Sequence, residues 1–376
     1  MTADHHEPAD PRSILPGACE VIDAGIHAGW HTGAQVCIRL AGRVIADFGQ
    51  GLARPGMAMT ADTIMLWMSS GKPVGAAAIM QLVERGQLDL DAPVAQTIPE
   101  FAAGGKEAVT VRQLLVHTGG FRWVDAGHPQ ATWDATIARI CAAPLERDWT
   151  PGEKAGYHPY TSWYILGELV RRIDGRPFEQ YVREEIFLPL AMTDSWIGMP
   201  IEQYRDYAPR QGWMMNVDRD PPVVHAYDSE LGATACVPGG NAHGPMHDLA
   251  RFYQMLLNGG ELDGARVLAA ATVERMTART RVGMFDETFK HTMDWGLGIM
   301  VDSNRYGPDT VPYGYGRYSS PRAFGHGGAQ SSLGMADPEY QLVVAVVFNG
   351  MPGERRHNER NRAFMTAVYE DLRLGT

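Results

Sequence analysis

Between Pro73 and Val83 the only polar side chain is Gln81, and the run is preceded by Ser69-Ser70-Gly71-Lys72 and followed by Glu84-Arg85-Gly86. A helix with no polar face belongs in a protein core. Proline is tolerated only in a first turn, so the helix begins close to Ser69, and Gly86 supplies its C-terminal cap. Ser69 then lies at the positive end of the helix dipole, with Lys72 one turn later on the same face. A serine hydroxyl is a weak nucleophile until a neighbour takes its proton, and a desolvated lysine is able to do so. The chain has only four lysines, Lys72, Lys106, Lys154 and Lys290, and the rest of its basic inventory is arginine. Of these, Lys72 is the one that leads a buried segment.

At 376 residues, 45% hydrophobic and 20% charged, the chain has room for one large globular domain or two modest ones. A net charge of −11 argues against nucleic acid or anionic membranes as partners. No stretch reaches the apolar length needed to cross a bilayer, and the N-terminus lacks a basic region followed by an apolar run, so a cytoplasmic protein is expected. Cys19, Cys37, Cys141 and Cys236 are scattered without a C-x-x-C pair, which reads as buried thiols. His225, His243 and His247 lie in segments broken by Pro238, Gly239 and Gly240 and show no regular ligand spacing, so no metal or other cofactor is expected.

Met1 to Arg12 is polar and reads as a flexible tail. Ser13 to Trp30 has helical periodicity. Ala34–Leu40 and Arg43–Gly49, joined at Ala41-Gly42, read as a β-hairpin. The middle is helical, with helices expected over 109–116, 161–173 and 178–188. Residues 199–240 are irregular and rich in Trp, Met, Tyr and Pro, a candidate wall of a binding site. Helices over 249–257 and 269–276, a strand pair over 331–336 and 341–348, and a closing helix over 358–374 complete the chain. The expected architecture is α+β: an antiparallel sheet from both chain ends (13–68 and 241–376), flanked by terminal helices, with a mainly helical domain (69–240) inserted and the active site in the cleft between them.

Ser69-Ser70-Gly71-Lys72, Leu114-Leu115-Val116-His117-Thr118-Gly119-Gly120, Pro151-Gly152 with Tyr157-His158-Pro159, and Phe324-Gly325-His326-Gly327-Gly328-Ala329 follow one another in a telling order. Together these four stretches resemble the serine β-lactamase-like superfamily that also contains penicillin-binding proteins, and within it the class C-like branch and family VIII carboxylesterases. The resemblance covers the chain from about residue 20 to the last helix. It implies a β-lactamase/transpeptidase-like fold, Ser69 as nucleophile, Lys72 as its partner and Tyr157 as a base in acylation and deacylation. A phenol in that role needs nearby positive charge to lower its pKa, and Lys72 and His326 are the groups expected to supply it. The resemblance also implies an oxyanion hole made by the backbone N–H groups of Ser69 and Ala329. Gly327 and Gly328 suit a place where substrate approaches the backbone.

Two departures bear on substrate. Pro159 stands where the family has an amide-holding asparagine, and His326 where it has a carboxylate-gripping lysine. Both losses fall on groups that recognise a peptide-like acid, which favours a carboxylic ester over a β-lactam or a D-Ala-D-Ala peptide. The implied activity is a family VIII carboxylesterase-like serine hydrolase acting through an acyl-enzyme on a small-molecule ester. An acyltransferase using the same intermediate, a β-lactamase or peptidase, and a non-catalytic binding protein remain the alternatives. Trp213 and Trp295, with Met214, Met215, Tyr227, Met284, Phe285, Tyr313 and Tyr315, are candidates for an apolar pocket around the acyl or alcohol part.

Overall fold

The computed structural model describes residues 10–375, so most of the expected Met1–Arg12 tail lies outside the described residues. The expected first helix is split. A short turn, Pro11–Ile14, is capped by the Asp10 side chain, and a second helix starts at Pro16. The cause is local: the residue before a proline is driven out of the helical region, and Leu15 adopts φ −129°.

Eight antiparallel strands form the main sheet. They are β1 (Gly33–Leu40), β2 (Arg43–Arg54), β3 (Met57–Ala58), β4 (Asp294–Trp295), β5 (Met300–Val301), β6 (Phe324–Gly327), β7 (Ser332–Asp337) and β8 (Leu342–Phe348), in the order β4-β5-β6-β7-β8-β1-β2-β3. Both chain ends thus contribute, and β1 joins them by pairing with β8 from Ala34↔Phe348 to Leu40↔Leu342. Ala41 (φ 49°) and Gly42 (φ 77°) make the tight turn of the β1–β2 hairpin, where two consecutive positive φ values match the twist of the strands.

Five helices matter for the site: α1 (Pro16–His27), α2 (Lys72–Glu84), α3 (Thr161–Asp174), α4 (Met246–Leu257) and α5 (Glu354–Asp371). Along β8, Val343, Ala345 and Val347 join the core shared with α2 and α4, while Leu342, Val344, Val346 and Phe348 join the core under α1 and α5. Both faces of the sheet are therefore covered, which explains why β8 is apolar throughout instead of alternating. Helix α2 is buried from Lys72 to Leu82, as its lack of a polar face requires.

The middle of the chain supplies helices, in places shorter than expected. The 109–116 helix spans Val111–Leu115 behind a Thr110–Gln113 capping box, and the 178–188 segment passes from an α-helix, Phe178–Val182, into a wider π-helical turn, Arg183–Phe187. Helix α5 begins at Glu354, a turn earlier than expected. Among the described residues no helix is long and apolar enough to cross a membrane.

Candidate active site

Ser69 is held by the segment that precedes α2. Met65–Leu66 pairs with His243–Gly244, Trp67 N–H donates to Ala242 O at 2.7 Å, and the Trp67 indole donates to Gly244 O at 2.8 Å. The chain then turns through Met68, which is forced into the left-handed region at φ 50°, and through a 3₁₀ turn, Met68–Gly71, into α2. Of the two adjacent serines, Ser70 is buried and bonded to Trp67 O and Ser332 Oγ at 2.7 and 2.9 Å. The Ser69 hydroxyl meets Lys72, whose Nζ lies 2.8 Å away, and makes a longer contact to Gly239 O at 3.4 Å.

Lys72 is fully buried, and no carboxylate among the described residues bonds to it. Its other partners are two backbone carbonyls, Pro159 O at 2.7 Å and Gly239 O. Burial holds its pKa well below the ordinary lysine value. Carbonyls only accept, so both orient N–H bonds of the amine, and the remaining direction is the one toward Ser69 Oγ. As an ammonium Lys72 donates to all three oxygens; as a neutral amine it keeps the two carbonyl bonds and turns its lone pair to the Ser69 hydroxyl.

Tyr157 is fixed through its backbone. Its N–H donates to Asp286 Oδ1 at 3.0 Å, and its carbonyl accepts from Thr288 Oγ1 at 2.9 Å. Asp286 also caps Thr288 N–H and Phe289 N–H, and it is paired with buried Arg281 at 3.0 Å. The Tyr157 ring packs against His117 and Phe289, both at 4.8 Å, with His326 at 5.8 Å and Trp295 at 5.9 Å. Lys72 Nζ sits 5.2 Å from its centroid. Burial pushes the phenol pKa above its usual value, and the Ser69 hydroxyl only partly offsets this.

The positive field expected around Tyr157 is therefore not there. His326 is buried, and its pKa is lowered to about 3, chiefly by that burial. His117 is lowered well below 6.5, mainly by burial, and His158 to about 4 for the same reason. The phenol stays protonated near neutrality, and the group whose pKa moves toward proton acceptance is Lys72.

These residues open on a cavity of about 340 Å³, whose floor includes Ser69, Tyr157, Pro159, Gly327 and Ala329. Its rim comes from Thr288, Phe289, Pro312, Tyr313, Glu354 and Asn358. The N–H groups of Ser69 and Ala329 have no backbone acceptor among the described residues. Gly327 and Gly328 are needed for the protein's own packing more than for substrate approach: a Cβ at Gly327 collides with the Tyr313 ring, and one at Gly328 with Trp67 O and Ser332 Oγ.

The expected site residues are not all brought together. His326 and Trp295 form a layer behind Tyr157 instead of lining the cavity, and Trp213 lies away from it beneath Arg54, whose guanidinium is 5.6 Å from its ring. Residues 199–240 provide no part of the cavity lining; their contribution is the Gly239 carbonyl on Lys72. His243 and His247 face acidic partners, Asp228 at 3.3 Å and Asp47 at 3.4 Å. A larger hollow of about 520 Å³, bordered by Trp133, Arg171 and Cys236, carries the Cys236 thiol beside Glu179, but burial and then the Glu179 charge raise that thiol's pKa, so it is not activated as a nucleophile.

The family model for Beta-lactamase matches residues 20–367. The chain belongs to the Beta-lactamase family. It is 28% identical over 351 residues to the esterase/beta-lactamase LipL of Mycobacterium tuberculosis, covering 84% of this chain and 77% of that one. Among solved structures it is similar to a penicillin-binding protein homologue from Caulobacter crescentus, with TM-score 0.78, 30% identity and coverage of 95% and 97%. A family VIII carboxylesterase gives TM-score 0.78, 28% identity and the same coverage of 95% and 97%. The protein thus has the β-lactamase/transpeptidase-like fold and is an enzyme of the serine hydrolase class.

Several members of this family site escaped sequence reasoning. Asp286 and Arg281 carry no motif, and their role emerges only when the chain returns to Tyr157. Pro159 and Gly239 act through carbonyls, which every residue has. Thr288, Phe289, Glu354 and Asn358 line the cavity from distant segments; the Gly353-Glu354 start of a helix was the one available signal, since a helix start after β8 would aim its first turn at the end of the sheet.

Proposed function

We propose that the protein hydrolyses carboxylic esters through an acyl-enzyme on Ser69, with Lys72 as the proton acceptor in acylation. The observation that carries this reading is the fully buried Lys72 amine, 2.8 Å from Ser69 Oγ and otherwise bonded only to carbonyls. Neutral Lys72 takes the Ser69 proton as Oγ bonds to the ester carbon, and the carbonyl oxygen becomes an oxyanion accepting from Ser69 N–H and Ala329 N–H. Collapse breaks the bond to the alcohol oxygen. Tyr157 gives its proton to the departing alcoholate and is reprotonated from the Lys72 ammonium. Water then attacks the acyl-enzyme, losing a proton to the neutral amine; the bond from the acyl carbon to Ser69 Oγ breaks, the Lys72 ammonium returns that proton to Oγ, and the carboxylic acid leaves.

The ester preference rests on what the cavity lacks. Pro159 has no side-chain donor for a substrate amide, and neutral His326, 1% exposed, offers no charge to a substrate carboxylate. We place the cleft between a sheet portion (13–68 and 241–376) and a mainly helical portion (69–240), and the enzyme in the cytoplasm, a setting that suits the free thiols of Cys19, Cys37 and Cys141. The test is turnover of a short-chain p-nitrophenyl ester against a chromogenic cephalosporin, the latter because the M. tuberculosis relative carries both names. Faster ester turnover supports the proposal; faster cephalosporin turnover overturns the ester preference, and an adduct released only by added alcohol or amine makes the enzyme a transferase.

A further inference from the structure

Among the described residues, the one charged side chain lining the Ser69 cavity is a carboxylate. Glu354, the first residue of α5, accepts from the Tyr313 hydroxyl at 2.9 and 3.1 Å. No cation pairs with it among the described residues: Arg355 pairs with Glu359 at 3.0 Å, and Arg360 is buried behind Gln330, donating to its carbonyl at 2.9 Å. Tyr313 fixes where this carboxylate sits. The Tyr313 hydroxyl accepts from Gln330 N–H at 3.1 Å, and Gln330 directly follows Ala329. Glu354 is thus two hydrogen bonds from the end of the segment expected to hold the oxyanion.

An aromatic wall connects it to Tyr157. The Tyr157 and Phe289 rings are 4.8 Å apart, and Phe289 and Tyr313 are 5.7 Å apart. Aromatic faces closed by a carboxylate attract an alkylated ammonium group, through the ring quadrupoles and through direct charge attraction. The same carboxylate repels the carboxylate that β-lactams and D-Ala-D-Ala peptides carry. Tyr157 hands its proton to the departing alcohol in the mechanism above, so the wall that starts at Tyr157 is the side along which that alcohol lies.

We propose that Glu354, with Phe289 and Tyr313, selects esters whose alcohol part carries an alkylammonium cation. This rests on the esterase reading. Partial desolvation raises the Glu354 pKa while hydrogen bonds from Tyr313 and Gln330 pull it back, so measurements belong at pH 8, on the alkaline side of that carboxyl's ordinary range.

The experiment compares kcat/KM for acetylcholine and for its neutral isostere 3,3-dimethylbutyl acetate, with p-nitrophenyl acetate as the reference ester. In wild type the cationic ester is expected to be preferred about tenfold, a preference that shrinks at high salt. Glu354→Gln removes most of that ratio, and Glu354→Lys reverses it. A wild-type ratio near one, or a ratio unchanged in Glu354→Gln, overturns the proposal. Failure of all three esters, p-nitrophenyl acetate included, signals instead that the esterase reading is wrong. Calorimetric binding of tetramethylammonium to Ser69→Ala needs no turnover and decides the cation site in that case. Binding weakened about tenfold by adding Glu354→Gln supports the site; no binding, or equal binding, overturns it.

Discussion

Acid should unfold this protein well above the pH at which its carboxylates titrate, because the site is built around histidines that cannot charge where they are. His31, His117, His158, His326 and His357 are all buried with pKa values lowered by burial, His31 and His326 to about 3 and His158 to about 4. In the unfolded chain each returns to about 6.5, so below that pH the unfolded state binds more protons and stability falls with pH. Their stabilising contribution is complete above pH ~6.5 and is lost as pH drops toward the folded values. Asp302 opposes them, since its folded pKa is raised to about 6 by burial and it gains protons in the folded state first. His128 and His225, also lowered, and His247, raised, shift the count in opposite directions.

At pH 5.5 His31, His158 and His326, set against Asp302, give an uptake of about two protons on unfolding and a loss of about 3 kcal/mol between pH 7 and 5.5, to which His117 and His357 add. A domain has only ~5–15 kcal/mol to lose. Urea melts at pH 7.5, 6.5 and 5.5, with proton uptake measured calorimetrically in buffers of different ionisation enthalpy, read both quantities. His326→Asn should lower the uptake at pH 5.5 by about one proton. An uptake below about two protons, or a midpoint unchanged between pH 7 and 5.5, would refute the claim that these rings are held neutral by burial.

Asp286→Ala strands the Arg281 charge and frees the Tyr157 segment; a loss of ~3–5 kcal/mol in urea melts is expected, with partial recovery in an Arg281→Met/Asp286→Leu double variant. Lys72→Met should cut kcat/KM about 10³-fold, the range of a lost general base. For wild type, kcat/KM should rise with pH along a limb set by Lys72, below lysine's ordinary ~10.4, and show no falling limb from Tyr157 below pH ~10; a rising limb that vanishes in Tyr157→Phe but persists in Lys72→Met would return the base role to the phenol. Gly328→Ala should cost ~1–3 kcal/mol in thermal or urea melts, since its Cβ meets Trp67 O and Ser332 Oγ.

The parts of the fold written in local patterns were legible from the sequence. Gln81 as the only polar residue of a long apolar run announces the buried α2, and Ala41-Gly42 announces the hairpin turn. The strands β4 and β5 were not legible, because two residues each are too few to show alternation. Aromatic-rich composition drew attention to 199–240, yet Trp213 is occupied by Arg54; of the rings named from the sequence Tyr313 does line the cavity, beside Phe289, which no pattern indicated. Composition indicates that rings will pack, not against what. Ser69 and Lys72 were readable because helical spacing ties them together, whereas Asp286 and Glu354 join the site through long-range topology that no spacing encodes.

The most direct test of the central claim is intact-protein mass after brief exposure to a p-nitrophenyl ester, for wild type and Ser69→Ala. An adduct of the acyl mass on wild type that maps to the Ser69 peptide and is absent from Ser69→Ala is the predicted result. Turnover by Ser69→Ala at the wild-type rate, or an adduct on any other residue, would contradict the assignment of the nucleophile and everything built on its contact with Lys72.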